Sequence, residues 1–378
     1  MKFFIKRHDI FRNFLKIMYV FSIKQNRIFF MNFDGTTYGY DAKAMVEYIT
    51  KNRSGQYEMF WGINDLMNFK SIHISGVRFV KLKSLKSIWY ILTSKAVICN
   101  INPPAYIPYR KGQVIINSWH SISYKKVGKY IEPFNKKQAN MTTHYLSHAQ
   151  KFTEWVIRGS FEFEKKIVMC GVPRNDIFFD DKKAYETKKR IKREHSILEE
   201  EKVLLYAPTF RKQTDYMESG MDFNRLRLNL EKKFGGKWRI LFRLHPMIIK
   251  VNTVEHEGVS DVSRHQDMQE LLCTADAFIS DYSGGIWDFA LQYKPVFIYA
   301  VDIKQYDKDR GVYMPCLEWP FPLCENNEEL ETAILRFDLA KYKTEVKQYF
   351  DYMGSYEKGI ASETVLKIIE NDKALILN

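Results

Sequence analysis

Short apolar runs, four to six residues long, recur along the chain, and each is closed by a polar or turn-forming segment. In the first half they cover residues 28–31, 57–62, 77–80, 96–100 and 114–117; in the second, 203–206, 239–242, 277–280 and 296–299. Runs this short, rich in Val, Ile and Phe, read as strands buried on both faces. Between them lie stretches with helical spacing at 41–50, 84–94, 180–201, 223–234, 268–273 and 286–293, and a helical C-terminal segment starts near residue 330. Strands alternating with helices predict an α/β protein with parallel sheets. The alternation pauses at Cys170-Gly171-Val172-Pro173-Arg174-Asn175-Asp176 and then restarts, which makes that stretch the expected hinge between two domains.

The clearest unit is ADAFISDYSGGIWDFALQYKPVFIYA, residues 275–300. Its two apolar runs flank a helix that Lys294-Pro295 stops. A strand–loop–helix–strand of this kind packs as a parallel βαβ unit. Ser283, Gly284 and Gly285 at the helix entrance leave backbone N–H groups uncovered, which suits a phosphate. An ordinary helix cap with a tight turn uses the same residues, so the stretch alone fits both readings.

At 378 residues the chain exceeds one typical core, in keeping with two domains. The formal net charge of +13 favours anionic partners: acidic lipid, phosphate-rich substrates or nucleic acid. Five cysteines with no C-x-x-C pair read as reduced thiols of a cytosolic protein. The N-terminal stretch is interrupted by Lys2, Lys6, Arg7, Arg12 and Lys16, and its uncharged run, 17–23, is far short of the roughly 20 residues needed to cross a bilayer. It reads instead as a basic amphipathic helix, lying either at a membrane surface or against the body of the protein.

Ligands of open α/β sheets sit beyond the carboxyl ends of the strands, and two histidines fall there. His120 follows the run at 114–117, between Trp119 and Ser121. With an ordinary pKa of about 6.5, histidine suits general base work on a hydroxyl, or it could simply bond to backbone. His245 follows the run at 239–242 beside Arg243, a pairing that fits a diphosphate or a salt-bridged rim. Arg174 and Arg211 lie in comparable loops and could equally be surface ion pairs. Asp288 could accept bonds from a ribose or polyol, or act as a first-turn helix carboxylate. Asp307-Lys308-Asp309 reads as a solvated loop, and His144 and His148 stand four apart with no third ligand, so no metal site is expected.

Five blocks occur in order: Asn117-Ser118-Trp119-His120-Ser121, Gly171-Val172-Pro173-Arg174-Asn175-Asp176, Tyr206-Ala207-Pro208-Thr209-Phe210-Arg211, Arg243-Leu244-His245-Pro246 and Asp281-Tyr282-Ser283-Gly284. As a set they resemble the CDP-glycerol glycerophosphotransferases that build wall teichoic acids and some capsules of bacteria. The resemblance spans most of the chain, from Phe33-Asp34-Gly35 to Arg310-Gly311. It implies a GT-B fold of two Rossmann-like domains facing a cleft, here residues 27–175 for the acceptor and 176–378 for the donor. The amphipathic segment 1–26 precedes them, and the last helices could cross back.

The family's donor contacts carry over to Trp119, Ser121, Ile122, Ser123, Arg174, Pro208, Thr209, Arg243, Leu244, Ser283, Gly284 and Asp288, with Arg211 and Gly285 beside them. His120 takes the position of the base and His245 that of the histidine supporting the diphosphate. The implied reaction moves glycerol phosphate from CDP-glycerol to a hydroxyl of a polyprenyl-diphosphate-linked saccharide or polyol-phosphate acceptor, and CMP leaves. No cofactor is implied. The implied location is peripheral, at the cytoplasmic face of an anionic membrane; no nucleic-acid partner is expected, and a homo-oligomer is compatible.

Two departures stand out. The family pattern W-H-G-T-P is here Trp119-His120-Ser121-Ile122-Ser123, and the second serine of D-Y-S-S is Gly284. Gly284 keeps its backbone N–H for phosphate binding, whereas Ser121 and Ile122 change the shape beside the base and bear on which polyol is transferred, so CDP-ribitol or another phosphate-linked donor is the alternative within the reaction class. A non-catalytic basic protein binding anionic lipid or nucleic acid is the alternative outside it.

Overall fold

The apolar runs become the strands of two wholly parallel sheets. The structure, a computed structural model, describes residues 10–65, 69, 72, 74–121, 124–131, 134–209, 220–244, 256–303 and 311–371. The chain divides into two compact units, one holding 1–120, 127–176 and 356–378, the other 121–126 and 177–355. The division at 176–177 lies one residue from the expected hinge boundary. The segments 121–126 and 356–378, however, belong to the opposite unit from the stretches that precede them.

In the first unit, β1 (Lys24–Met31), β2 (Glu58–Ile63), β3 (Val77–Lys81), β4 (Ser94–Cys99), β5 (Val114–Asn117), β6 (His144–Ser147) and β7 (Lys166–Met169) lie in the order β3-β2-β1-β4-β5-β6-β7. Helices α1 (Tyr40–Asn52) and α2 (Leu85–Thr93) follow β1 and β3. Strand side chains alternate between faces, so β1 feeds two cores. Ile28 and Phe30 pack with Trp61, Ile98 and Ile116, under α1 and the C-terminal helix Ala361–Asn371. Phe29 and Met31 pack with Phe60, Val97 and Ile115 on the α2 side. Fully burying each such side chain stabilises the fold by about 1.5–3 kcal/mol.

The second unit orders β8 (Lys202–Tyr206), β9 (Trp238–Phe242), β10 (Val259–Asp261), β11 (Ala277–Ser280), β12 (Val296–Tyr299) and β13 (Leu323–Cys324) as β10-β9-β8-β11-β12-β13. Counted within the unit this is 3-2-1-4-5-6, the dinucleotide-fold order. Carboxylates cap several of its helices. Asp180 accepts from the Lys183 N–H at 3.0 Å ahead of α3 (Asp181–Glu194), and Asp222 from the Arg225 N–H at 2.9 Å ahead of α4 (Phe223–Phe234). Asp267 caps α5 (Met268–Thr274) in the same way. α3 stops seven residues before the expected limit of 201, because Ser196 turns into the left-handed region at φ 54°. After α6 (Gly285–Ala290) come α7 (Asn327–Leu335) and α8 (Leu339–Met353).

Four strands escaped the sequence reading. β6 is fully buried but carries His144 and Ser147, which break an apolar run, while β7, β10 and β13 are edge strands only partly covered. The N-terminal segment docks one face on the first unit. Leu15 is buried, Met18 and Tyr19 pack on the core, and the Tyr19 hydroxyl donates to the Pro108 carbonyl at 2.7 Å. Its other face leaves Ile10, Phe14, Ile17 and Val20 exposed. Among the described residues no helix is long and apolar enough to cross a membrane.

Candidate active site

Each unit presents a cluster of the singled-out residues at the carboxyl end of its own sheet. In the first unit, β5 ends at Asn117, whose side-chain oxygen accepts the Trp119 N–H at 2.9 Å. That bond closes a tight turn in which Trp119 adopts φ 52°, a left-handed conformation that costs a non-glycine residue about 1–3 kcal/mol. Two contacts hold it there. Arg174 Nη1 donates to the Trp119 carbonyl at 3.2 Å, and the Phe161 ring, delivered by the π-helical turn Thr153–Ser160, packs against the indole at 4.5 Å.

The turn brings His120 Nδ1 to 3.2 Å from the Asn100 carbonyl oxygen. A carbonyl only accepts, so this contact requires the proton on Nδ1 and leaves the lone pair of the neutral ring on Nε2. That is the tautomer a general base needs. Asn100 also accepts the Phe33 N–H at 2.9 Å through its side chain, and the Phe33 ring lies 5.2 Å from the imidazole. One residue after β4 thus ties the loops after β1 and β5 together. Gly35 completes the β1 loop at φ 83°; a Cβ there would come within 2.7 Å of the Ile63 backbone.

Arg174 departs from the expected phosphate contact. Its side chain is 1% exposed and forms a 2.9 Å ion pair with Asp41, also 1% exposed, while its N–H donates to the other Asp41 oxygen at 3.0 Å. Ser118 donates to the same carboxylate at 2.9 Å. Burial pushes the Asp41 carboxyl up from its ordinary value, and the Arg174 guanidinium, the Arg174 N–H and the Ser118 hydroxyl pull it back. The neighbours of Arg174 have structural tasks as well. Asn175 donates to Glu357 at 3.1 Å, and Asp176 accepts the N–H groups of Ala361 and Ser362 at the start of the C-terminal helix. The stretch read as a hinge therefore anchors α1, the Trp119 turn and the chain end to one another.

In the second unit the strand order reverses between β8 and β11, and the loops after those strands carry Pro208-Thr209 and Asp281 through Gly285. Asp281 joins them, accepting the Thr209 N–H at 3.0 Å, the Thr209 hydroxyl at 3.0 Å and the Tyr282 N–H at 2.6 Å. Pro208, Thr209, Ser283, Gly284 and Gly285 remain partly open to solvent. Ser283 Oγ accepts the Gly285 N–H at 3.2 Å, so the first N–H of the six-residue α6, expected to be uncovered, already has a partner.

Arg243 is buried; it donates to the Met268 sulfur at 2.9 Å and to the His265 carbonyl at 3.1 Å. The Met268 methyl in turn lies 3.3 Å from where a Gly285 Cβ would stand, so one methionine side chain separates Arg243 from the α6 entrance. The Leu244 N–H donates to Ser263 at 2.8 Å. Asp288 is buried and accepts from Gln269 at 2.8 Å, which makes it part of the α5–α6 packing. Ser121 is half-buried. Ile122, Ser123, Arg211 and His245 lie outside the described residues. No group of three metal-ligating side chains occurs among the described residues.

Sequence reasoning passed over Asp41, Asn100 and Asp281 as site residues. Asp281 sits inside a quoted block and was legible there, whereas Asp41 and Asn100 carry no local signal beyond lying next to a strand-end loop.

A family model described as CDP-Glycerol:Poly(glycerophosphate) glycerophosphotransferase matches residues 13–371. A teichoic acid poly(glycerol phosphate) polymerase of Bacillus spizizenii is 29% identical over 361 residues, covering 90% of this chain and 91% of the relative. The polymerase of the same description from Bacillus subtilis is 28% identical over 92% of this chain, which spans only 49% of that relative's length. A teichoic acid poly(ribitol-phosphate) polymerase of Bacillus spizizenii is 26% identical, covering 95% of this chain and 57% of the relative. The fold is shared with the wall teichoic acid polymerase TagF, in a variant soaked with CDPG, at a TM-score of 0.82 and 24% identity over 100% of this chain and 96% of that one.

Proposed function

The chain belongs to the CDP-glycerol:poly(glycerophosphate) glycerophosphotransferase family, and from that premise we propose that it transfers glycerol phosphate from CDP-glycerol to a hydroxyl of a lipid-linked acceptor. As a family member it is an enzyme of teichoic acid biosynthesis, a transferase of polyol phosphate units. The acceptor hydroxyl gives its proton to His120 Nε2 while its oxygen attacks the phosphorus that bears the glycerol. A new P–O bond forms, the bond to the bridging oxygen breaks, and that oxygen leaves on CMP. The observation that carries this reading is the Nδ1 contact of His120 with the Asn100 carbonyl, which leaves the basic nitrogen on the other side of the ring.

The donor's diphosphate is assigned to the second unit, at the loops after β8 and β11. An α/β sheet binds ligands where its strand order reverses, and Thr209, Ser283, Gly284 and Gly285 are the partly open residues there. The six residues of α6 give a short dipole, so the loop's N–H and hydroxyl groups supply most of the attraction. Arg243, in the loop after β9, adds positive charge from behind Met268, and His245 is assigned beside it from its place in the family's pattern. Arg243→Ala and His245→Ala should each weaken CDP-glycerol binding by about tenfold or more with no acceptor present, since bonds to charged groups contribute roughly 1.5–3 kcal/mol. Calorimetric titration reads this directly, and wild-type affinity in both variants would remove the diphosphate from this loop cluster.

CDP-ribitol is the second reading, because a relative is named a poly(ribitol-phosphate) polymerase and Ser121 and Ile122 stand where the family pattern beside His120 has glycine and threonine. Incubation with each CDP-polyol followed by mass spectrometry of the product distinguishes them. Membrane attachment is assigned to the exposed face of the N-terminal segment, where Ile10, Phe14, Ile17 and Val20 stand beside Arg12 and Lys16. Phe14→Glu with Ile17→Glu should reduce sedimentation with anionic vesicles several-fold, and salt should weaken the wild type's binding. Binding unaltered by both would place the contact elsewhere.

A further inference from the structure

The first unit also reverses its strand order, between β1 and β4. A cavity of about 510 Å³ opens there, walled by the loops after β1, β2, β3, β4 and β5. Its volume falls within the range of small-molecule sites, roughly 300–1,000 Å³. The wall combines one carboxylate (Asp34), one ammonium (Lys83), the carboxamides of Asn64 and Asn102, and the rings of Tyr106 and Trp119. Asp34 and Lys83 are exposed at its mouth. Both line the cavity, so the two charges face the same space; partial burial raises the Asp34 carboxyl and the Lys83 charge pulls it back.

Three of the wall residues, Asp34 at φ 51°, Lys83 at φ 63° and Trp119 at φ 52°, hold left-handed backbone. They come from three different loops, and none of them is a glycine. Conformations of this kind persist where the surroundings over-determine them, and they gather at binding and catalytic sites. Trp119 links the cavity to the base, because its indole lies 4.4 Å from the His120 ring.

We propose that this cavity binds the acceptor, through a phosphate ester rich in hydroxyls next to the hydroxyl that is attacked. The inference rests on the transferase reading given above. Lys83 pairs with a phosphodiester's single negative charge. Asp34, Asn64 and Asn102 take hydroxyls, and the carbon skeleton lies against Trp119 and Tyr106. A nucleoside diphosphate fits the set poorly, since one ammonium facing one carboxylate offers little to a multiply charged group. A saccharide phosphate and a polyol phosphate share the chemistry the cavity recognises.

The test uses the whole chain with two variants that change charge at constant size, Lys83→Gln and Asp34→Asn. Asparagine tolerates the left-handed region at position 34. A third, Ala105→Phe, fills the cavity without touching a charge. Initial rates of CMP release are measured against a short-chain lipid-diphosphate acceptor and, separately, against CDP-glycerol. All three variants should raise the acceptor KM by roughly tenfold or more and leave the donor KM within twofold. An unchanged acceptor KM in Lys83→Gln and Ala105→Phe, or an equal rise in both KM values, would overturn the assignment.

A second arm uses no donor: titration with sn-glycerol 3-phosphate and with N-acetylglucosamine 1-phosphate. Saturable binding of either by the wild type, lost in Ala105→Phe, supports the cavity, and the tighter of the two identifies the source. Binding retained in a folded Ala105→Phe protein counts against it. If the wild type releases no CMP from any CDP-polyol yet this binding is present, the transferase reading fails while the cavity assignment stands.

Discussion

His120→Ala is expected to lower the transfer rate by about 10²–10⁴-fold, the usual contribution of a positioned general base, while donor affinity stays near that of the wild type. The argument rests on one contact. His120 Nδ1 faces the Asn100 carbonyl at 3.2 Å, so its proton is committed and Nε2 is the basic atom. The ring also packs between Phe33 at 5.2 Å and Trp119 at 4.4 Å, which helps to hold its orientation. The imidazole is half-buried in a strand-end loop, so its removal leaves the sheet intact. Single-turnover CMP release and a donor titration on the same preparation separate the two quantities. Turnover at the wild-type rate by a folded variant would take His120 out of the mechanism, and a hundredfold loss of donor affinity would recast it as a donor ligand.

The second large effect is expected at Asp41 and Arg174. Removing either partner of a buried ion pair strands a charge, which typically costs about 3–5 kcal/mol. Asp41→Ala and Arg174→Ala should therefore unfold at markedly lower denaturant or temperature. The double change Asp41→Leu with Arg174→Met should cost less than either single change, because no charge is left unpaired. Since Arg174 Nη1 also holds the Trp119 carbonyl, Arg174→Lys should fold yet transfer slowly, with donor affinity retained. A folded Arg174→Lys protein that loses donor affinity and keeps its stability would instead restore Arg174 as a phosphate contact. Single variants within about 1 kcal/mol of the wild type, at the level of an exposed pair, would show that the pair does not hold the fold.

Much of the scaffold was legible in the chain. The runs at 114–117, 277–280 and 296–299 are strands with the bounds their apolar residues suggested, and α4 spans Phe223–Phe234 as its spacing did. Local sequence carries such features because a strand's period, a helix cap and a Lys-Pro stop all act within a few residues. The strand-end positions of His120, Thr209 and Arg243 follow directly, since a loop after a buried strand must emerge at the sheet's carboxyl edge. β6 was not legible, because its polar His144 and Ser147 are buried by packing partners distant in sequence.

The tertiary structure decided the rest. Asp41 and Arg174 stand 133 residues apart, and neither shows any local sign of the other. Their pairing converts an arginine that reads as a phosphate ligand into an internal strut for the Trp119 turn. The same holds for Asn100 and His120, where the tautomer of the base depends on a carbonyl at the end of the neighbouring strand. Strand order, too, is a long-range property. Only once β1 lies beside β4, and β8 beside β11, do the two reversal points exist at which loops diverge and leave room for a ligand.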